Sequence, residues 1–306
     1  MENIKWFNSK EEWLQAGLYN ETYEKIKWNN EALGNNSQNL HLLFSNKDHM
    51  VSFLNAYGNF SQYQNKLILV PGLLNENSEA GLQKLAIELN MPAVFFGTKS
   101  QQDVLESAIT RKKVFISSKC RNTNKTIAYQ RHLCDDIHIQ SVSLGEFRTD
   151  FGKAESILRG ADTVFFELNA LRFQDSYFED SLVTGLDIYE ASQLLRYTGM
   201  ATSHKLLYLN VSHQALHPRT WESLATLMWY YLEGKRQMEI DSPEHEDNRK
   251  FFVETEFFGD ALTFIQTHKT NRWWVVHPET KERIPGTEQD YISLRDGMVP
   301  DLLMDL

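Results

Sequence analysis

The order of apolar and polar positions divides the chain into short apolar runs and longer segments with helical spacing. The apolar runs, rich in β-branched and aromatic residues, predict strands at 66–70, 92–96, 113–116, 163–168 and 205–211. Apolar residues three and four positions apart predict helices at 78–89, 104–109, 186–197 and 220–233. Thr220 is the expected N-cap of the last helix. Strands and helices that alternate in this way form βαβ units. We therefore expect an α/β fold with three αβα layers and a mostly parallel, doubly wound sheet.

Two stretches of the chain depart from this alternation. Residues 1–60 combine a predicted helix at 9–18 with an Asn-rich loop at 29–39. We expect them to form an N-terminal extension packed on a main domain that spans 61–306. Residues 236–250 are strongly charged, with many acidic side chains, and predict a solvated loop. Apolar spacing returns after that loop and continues into an aromatic C-terminal part.

The composition disfavours several classes of function. The chain has 306 residues, of which 42% are hydrophobic, enough for a sizeable core. Its 31 Lys and Arg residues against 41 Asp and Glu residues give a net charge of −10, which disfavours nucleic acids and anionic membranes as partners. It has no apolar run of transmembrane length and no signal peptide, and Cys120 and Cys134 make no disulfide framework. We expect a cytoplasmic protein.

Four motifs follow one another in the order that they have in a known family. They are LGEFR at 144–148, RGAD at 159–162, FFELNALR at 165–172 and GLDIYEA at 185–191. In this order they resemble the second half of the ureohydrolases, the family of arginase and formimidoylglutamase. That family carries Ser-x-Asp-x-Asp-Ala-x-Asp-Pro where this chain has FFELNALR. Three later motifs are similar to a divergent formimidoylglutamase-like group, at 229–234, 269–274 and 289–291. The resemblance covers roughly residues 65–300 and implies an arginase-like fold.

The resemblance also implies an active site with two metal ions. Active members of the family hold two Mn²⁺ ions through His and Asp side chains at the carboxyl ends of parallel strands. A water that bridges both ions attacks the carbon of a guanidinium or formimidoyl group. Carboxylate and imidazole ligands of this kind suit Mn²⁺. Members of the family are commonly oligomeric, so an interface between copies of the chain is expected as well.

This chain departs from the ligand pattern of the family at almost every strand end. We call the matching positions the vestigial site: Lys99, Ser100, Ser117, Lys119, Arg121, Glu167, Asn169, Arg172 and Val211. Of the six metal ligands that the family implies, only Glu167 keeps a carboxylate. Val211 replaces the glutamate that binds the cationic group of the substrate. The cations at these positions would raise the cost of binding a dication by several kcal/mol. We therefore expect neither metal ligands nor catalytic residues in this chain.

Three functional hypotheses follow from the vestigial site. We favour a pseudoenzyme without a cofactor, which works as a binding or scaffold protein for an unknown protein partner or for a second copy of itself. Its crevice could also hold a small anionic metabolite, unless neighbouring acids neutralise the cations. The alternative is a formimidoylglutamase-like hydrolase, which converts formimidoylglutamate to glutamate and formamide with two Mn²⁺ ions. That hydrolase needs a different set of ligands, such as Glu167, Asp175, His138 and His213. The third is metal-free chemistry at Cys120, activated by Lys119.

Two other groups of possible metal ligands have structural interpretations. His213 and His217 are four residues apart, as in a zinc metalloprotease helix, but Gln214 stands where that helix needs a glutamate. Because Pro218 follows at once, we expect both histidines to be polar loop residues. Residues 134–138 combine a cysteine, two aspartates and a histidine. Adjacent side chains diverge, so no metal site is expected there.

Overall fold

The computed structural model describes residues 41–44, 48–49, 52–53, 55–57, 93–97, 112–120, 125–133, 136–178, 181, 183–202, 206–211, 216–255, 259 and 261–303. The strands are β1 (His41–Phe44), β2 (Ala93–Gly97), β3 (Lys112–Cys120), β4 (Lys125–Leu133), β5 (Asp136–Val142), β6 (Thr163–Glu167), β7 (Leu206–Asn210), β8 (Arg249–Val253), β9 (Leu262–Gln266), β10 (Trp273–Val276) and β11 (Arg283–Gly286). The α-helices are α1 (Leu144–Thr149), α2 (Phe151–Arg159), α3 (Phe173–Ser176), α4 (Ile188–Gly199), α5 (Pro218–Ile240) and α6 (Glu288–Arg295). Short 3-10 turns occur at Leu168–Ala170 and Asp301–Leu303. The elements predicted at 9–18, 29–39, 66–70, 78–89 and 104–109 lie outside the described residues.

Seven strands form the main sheet, in the order β1-β2-β7-β6-β3-β4-β5. The first five of that order pair in parallel, and β4 and β5 add antiparallel pairs at one side. The strands predicted at 92–96, 113–116, 163–168 and 205–211 are confirmed as β2, β3, β6 and β7. Their nearly continuous apolar sequences suit a parallel sheet that is covered on both faces. The predicted α/β class with a mostly parallel sheet is therefore confirmed. β1 comes from residues 1–60 and forms the edge of this sheet.

The strand predicted at 113–116 is longer than expected, and the two strands after it were not predicted. β3 pairs with β6 from Lys113 to Ile116 and then continues to Cys120, after an irregularity in its pairing with β4. β4 and β5 complete an antiparallel side of the sheet. In β5, Ile137 and Ile139 alternate with polar residues. Alternation of this kind is typical of a strand with one solvated face, and such a strand has no continuous apolar run to predict it.

Helix α5 extends beyond both ends of the predicted range, 220–233. Its N-cap is His217, whose Nδ1 accepts a hydrogen bond from the Arg219 N–H (3.2 Å). The prediction that Thr220 is the N-cap is wrong, because its hydroxyl donates to the carbonyl oxygen of Ser176 (2.6 Å). Pro218 occupies the first turn, where the fixed φ angle of proline already suits the helix. The solvated loop predicted next is correspondingly shorter and occupies the stretch between α5 and β8.

Four further strands, β8 to β11, form a separate antiparallel sheet in the order β11-β10-β9-β8. This sheet has an apolar cluster of its own, shared with α6 and the C-terminal 3-10 turn: Val253, Leu262, Phe264, Trp273, Val275, Leu294 and Leu303. The prediction of a single α/β domain did not include this sheet. Helix α2 links it to the main sheet, because Arg159 of α2 donates to the carbonyl oxygens of Trp273 (3.3 Å) and Gly286 (3.1 Å). None of the described helices is long and apolar enough to cross a bilayer.

Helix α4 is anchored at its start by a buried carboxylate. The N-cap Asp187 accepts a hydrogen bond from the Glu190 N–H (2.8 Å), and Glu190 accepts one from the Asp187 N–H (2.9 Å), which makes a capping box. Arg148 of α1 donates two more hydrogen bonds to Glu190, from Nε (2.6 Å) and Nη2 (3.0 Å). Burial alone would raise the pKa of Glu190, but these hydrogen bonds outweigh it and lower the pKa.

We expect the substitution Glu190→Gln to make the protein less sensitive to acid. Because the folded-state pKa is lowered, the charged carboxylate stabilises the fold fully above its unfolded-state pKa of about 4.3. That contribution is lost as the pH falls through the lower folded-state value. At pH 7 the substitution should lower the free energy of unfolding by about 1–2 kcal/mol, a range reduced for the exposure of Arg148.

Urea unfolding at pH 7 and pH 3 measures both effects, with Glu222→Gln on the exposed face of α5 as the control. The interpretation is wrong if Glu190→Gln loses as much stability on acidification as the wild type does.

Candidate functional site

The carboxyl ends of three parallel strands meet at one edge of the main sheet. Gly97 of β2 and Glu167 of β6 both pair with Asn210 of β7, so these strands end at the same level. This edge is where open α/β sheets bind their ligands. Val211 follows Asn210 directly and is completely buried. The edge formed by Gly97, Glu167, Asn210 and Val211 is therefore the candidate site.

Glu167 is held by an amide from the turn that follows it. Its side chain is nearly buried, with 9% exposure, and its Oε2 accepts a hydrogen bond from Nδ2 of Asn169 (2.9 Å). Asn169 lies in the 3-10 turn that begins directly after β6. The short spacing between these two residues lets the turn fold back over the strand end. The two residues therefore contact each other, and their assignment to a vestigial metal site stays a prediction.

Arg172, another vestigial-site residue, is paired with a carboxylate from its own segment. Its Nε forms a hydrogen-bonded ion pair with Asp175, three residues further along α3. This hydrogen bond, together with the charge of Asp175, raises the pKa of Arg172. Asp175, rather than Glu167, therefore neutralises Arg172. For Lys99, Lys119 and Arg121 the neutralisation by neighbouring acids stays a prediction.

The backbone around Arg172 is fixed by a strand-like contact. The Arg172 N–H donates to the carbonyl oxygen of Leu186 (2.9 Å), and Leu171 and Leu186 form an isolated parallel bridge. Gly185 makes this approach possible, because a Cβ at that position would lie 2.5 Å from the Arg172 nitrogen. The glycine of the GLDIYEA motif is therefore required by close backbone packing beside the site.

The remaining vestigial-site positions can be placed in part. Outside the described residues lie Lys99, Ser100, Arg121 and also His213. Ser117 and Lys119 were expected just past a strand end, but they are part of β3, which continues beyond its pairing with β6. The pairing of β3 with β6 ends at Ile116 and Phe166, one residue before Ser117 and Glu167. Cys120, the thiol of the third hypothesis, is the last residue of β3.

His138 cannot join Glu167 at a metal site, which corrects one part of the hydrolase hypothesis. His138 lies on β5, three strands from β6, and adjacent strands are about 4.8 Å apart. His138 pairs with Arg131 of β4, and Arg131 pairs with Lys112 of β3. The next residue of β3, Lys113, pairs with Thr163 at the amino end of β6, so His138 is level with that end. Glu167 is at the carboxyl end, about 13 Å further along the strand. The combined separation exceeds the reach of two side chains that share one ion.

His217 has the structural role that the sequence indicated. It is exposed at the start of α5, and its ring stacks on Tyr177 with centroids 4.8 Å apart. Arg219 completes this contact by donating from Nη1 to the Tyr177 hydroxyl (2.6 Å). Tyr177 has a positive φ of 51° and ends α3, so these residues fasten the α3 turn to the start of α5.

The described side chains at this edge do not fit a pair of Mn²⁺ ions. Glu167 accepts a hydrogen bond from the Asn169 amide, and Asp175 forms an ion pair with Arg172. Val211 is apolar and buried. Two hard dications each need several carboxylate or imidazole donors, as well as water. Among the described residues of the edge, this set offers too few donors for a water that is activated by two metals.

A different group of possible metal ligands lies near the second sheet and was missed by the sequence analysis. Donor atoms of His245, Asp247 and His268 all lie within 4.8 Å of one another. The first two belong to the charged stretch between α5 and β8, which was interpreted only as a solvated loop. The His-x-Asp spacing at 245–247 was the one available signal. His268 is over twenty residues away in the sequence, and no local pattern connects it to that loop.

Comparison with known proteins identifies similar solved structures only. No family model and no curated protein matches this sequence. Agmatine ureohydrolase of Thermoplasma volcanium is 12% identical, with 70% of this chain and 95% of that chain covered and a TM-score of 0.46. Trypanosoma cruzi formiminoglutamase is 13% identical, with 65% and 93% covered and a TM-score of 0.45. Proclavaminate amidinohydrolase from Streptomyces clavuligerus is 10% identical, with 66% and 93% covered and a TM-score of 0.46.

Each of these three structures is at most 13% identical to this chain. At such identities, and with TM-scores below 0.5, the likeness supports no conclusion about activity, metals or substrates. The α/β fold rests on the strand order of the chain itself.

Proposed function

We propose that this chain is a non-catalytic binding protein built on a ureohydrolase-like fold. The observation that supports the proposal most is the chemistry of the strand ends. The resemblance implies metal-binding carboxylates after β6 and a substrate-binding carboxylate after β7. At the end of β6, Glu167 accepts a hydrogen bond from Asn169. After β7, the position of the substrate-binding carboxylate is occupied by the buried Val211. A buried valine offers no charge to the cationic end of an amidine or guanidine.

The alternative, a live amidine hydrolase, lacks support from the ligands that it needs. His138 lies at the other end of the sheet from Glu167. Asp175 is paired with Arg172, so recruiting it to a metal would leave that guanidinium without its carboxylate. Breaking a partly buried ion pair to bind a dication adds to the cost of the metal site.

Exposed apolar side chains beside the site support a role in protein binding. Phe173, Val183 and Tyr189 are 46%, 76% and 61% exposed. Their segments are held together by the bridge between Leu171 and Leu186. Exposed aromatic side chains of this kind are enriched at protein interfaces. The surface suits a protein partner or a second copy of the chain.

An amidine-hydrolysis assay tests the proposal. The full chain, loaded with Mn²⁺, is incubated with formimidoylglutamate, and the release of formamide is measured. We expect no release above that of heat-denatured protein, which would place any turnover orders of magnitude below the ~10 s⁻¹ typical of enzymes.

The matched variants for this assay are Glu167→Gln and, as a control, Glu222→Gln. Turnover on the order of 1 s⁻¹ that disappears in Glu167→Gln and remains in Glu222→Gln would overturn the proposal in favour of the hydrolase.

A further inference from the structure

Three exposed or half-buried ligand-type side chains converge where α5 meets the second sheet. His245 and Asp247 lie on the turn between α5 and β8, and His268 lies on the turn between β9 and β10. One donor atom from each lies within 4.8 Å of the others. The two imidazole rings have centroids 4.6 Å apart, and Nδ1 of His245 is 3.6 Å from Oδ2 of Asp247. Two imidazoles and a carboxylate are a common ligand set for Zn²⁺ and similar transition metals.

His268 has the support that metal-binding histidines usually have. Its Nδ1 is 3.4 Å from Oδ1 of Asn248 and 4.0 Å from Oδ1 of Asp241, two oxygens that favour a proton on Nδ1. The other ring nitrogen, Nε2, then keeps its lone pair for a metal. A carboxylate or carbonyl behind a histidine orients the ring and fixes its tautomer in this way.

This supporting layer is itself well fixed. Asp241 is 7% exposed and accepts hydrogen bonds from the backbone N–H groups of Lys269 (3.3 Å) and Thr270 (3.2 Å). Asn248 is equally buried and accepts a hydrogen bond from the His268 N–H (3.1 Å). The turn that carries His268 is thus tied to the turn that follows α5. The imidazole of His268 has a built position beside the other two ligands.

The outer ligands are more exposed, and the Asp247 N–H donates a long hydrogen bond to Nδ1 of His245 (3.4 Å). The side chains of His245 and Asp247 are 43% and 75% exposed, whereas that of His268 is 26% exposed. Bonds of about 2.0–2.1 Å to a tetrahedral ion need donor atoms about 3.3 Å apart, closer than the present spacing. Rotation of two exposed side chains on a turn supplies that movement. Water can fill the remaining position on the solvent side.

We propose that His245, Asp247 and His268 bind one transition-metal ion such as Zn²⁺. A bound ion would connect the turn after α5 to the turn between β9 and β10. The site uses none of the residues at the carboxyl edge of the main sheet. The proposal is therefore independent of the proposed function, and either can fail alone.

Titration calorimetry with Zn²⁺ tests the site in the full chain, prepared without a polyhistidine tag. We expect one ion per chain for the wild type. His268→Ala and the exposed variant Asp247→Asn should each weaken binding at least about tenfold. His217→Asn, which removes a different exposed histidine and keeps a capping oxygen, should bind as the wild type does.

Co²⁺ absorption provides a second readout, because tetrahedral coordination by nitrogen and oxygen ligands gives intense visible bands that vanish in Asp247→Asn. Two results would overturn the proposal. One is no binding at about 100 µM Zn²⁺. The other is binding that is unchanged in both ligand variants, which would place the ion elsewhere. Since Asp247 is largely exposed, its variant should fold normally even if His268→Ala does not.

Discussion

Replacing either Gly199 or Gly234 with alanine is expected to lower the free energy of unfolding by at least about 3 kcal/mol. A Cβ at Gly199 would lie 2.1 Å from the carbonyl oxygen of Tyr231, and a Cβ at Gly234 would lie 2.0 Å from that of Arg196. Both contacts are with backbone atoms, which cannot turn aside as a flexible side chain can. The added methyl group must therefore push α4 and α5 apart.

The cost is large because these two helices carry much of the main core. Leu194 and Leu195 of α4 and Leu224 and Leu227 of α5 are completely buried. Each glycine lets one helix approach the backbone of the other, so these side chains pack without gaps. Separating the helices opens space around several of them at once.

Gly145→Ala is the matched control for both substitutions. Gly145 also lies in a helix, α1, but the atom nearest to an added Cβ there is Oγ of Ser143, at 4.0 Å. We expect no loss, or a gain of about 0.5–1 kcal/mol, because alanine restricts the unfolded chain and suits a helix. Urea unfolding measures all three variants. Small and equal effects at 145, 199 and 234 would show that α4 and α5 are not in backbone contact.

Arg159→Ala is expected to cost about 3–5 kcal/mol, because Arg159 is a buried charge that holds the two sheets together. Its Nη2 donates to two carbonyl oxygens of the second sheet, and its guanidinium carbon lies 4.7 Å from the ring centre of Trp274. Its Nε is 3.5 Å from Oε1 of Glu155, an ion pair too long for a good hydrogen bond. Burial lowers the pKa of Arg159 to about 10. Removing the side chain leaves both carbonyl oxygens without this donor.

Two variants separate the charge of Arg159 from its volume and from the general effect of losing an arginine. Arg159→Met keeps most of the side-chain volume, so it should cost clearly less than Arg159→Ala if packing dominates. Arg236→Ala, on the exposed side of α5, should change stability by less than about 0.5 kcal/mol. Amide hydrogen exchange adds a local readout, because β9 and β10 should exchange faster than β6 and β7 in Arg159→Ala. Equal exchange in both sheets would contradict the linking role.

The sequence predicted the parallel part of the fold well, because β2, β6 and β7 are continuous apolar runs with helices between them. It missed β4, in which only Ile127 to Tyr129 form an apolar run, and β5, whose apolar residues alternate with polar ones. It also missed the second sheet as a unit, since aromatic runs such as Trp273 to Val276 look the same in a strand of any sheet. The end of α5 was placed too early because charged residues that suit a loop also form helices well.

The candidate site was predictable only where its residues are close in the sequence. The contact between Glu167 and Asn169 follows from two positions of one motif, and Asp175 follows Arg172 by one helical turn. Sequence alone could not reveal that His138 is at the far end of the sheet, because that depends on the antiparallel turns of β3, β4 and β5. Nor could it bring His268 to His245, since their meeting needs the second sheet.

The most direct test of the non-catalytic proposal is the Mn²⁺ content of the purified chain after loading and desalting. The variant that carries both His245→Ala and His268→Ala is measured beside the wild type, so that the group near the second sheet contributes no metal. We predict less than about 0.1 Mn²⁺ per chain in this variant, since the described residues at the strand ends offer too few donors for such ions. A value near two per chain would contradict the proposal, because it would show that an intact two-metal centre remains at the carboxyl edge of the sheet.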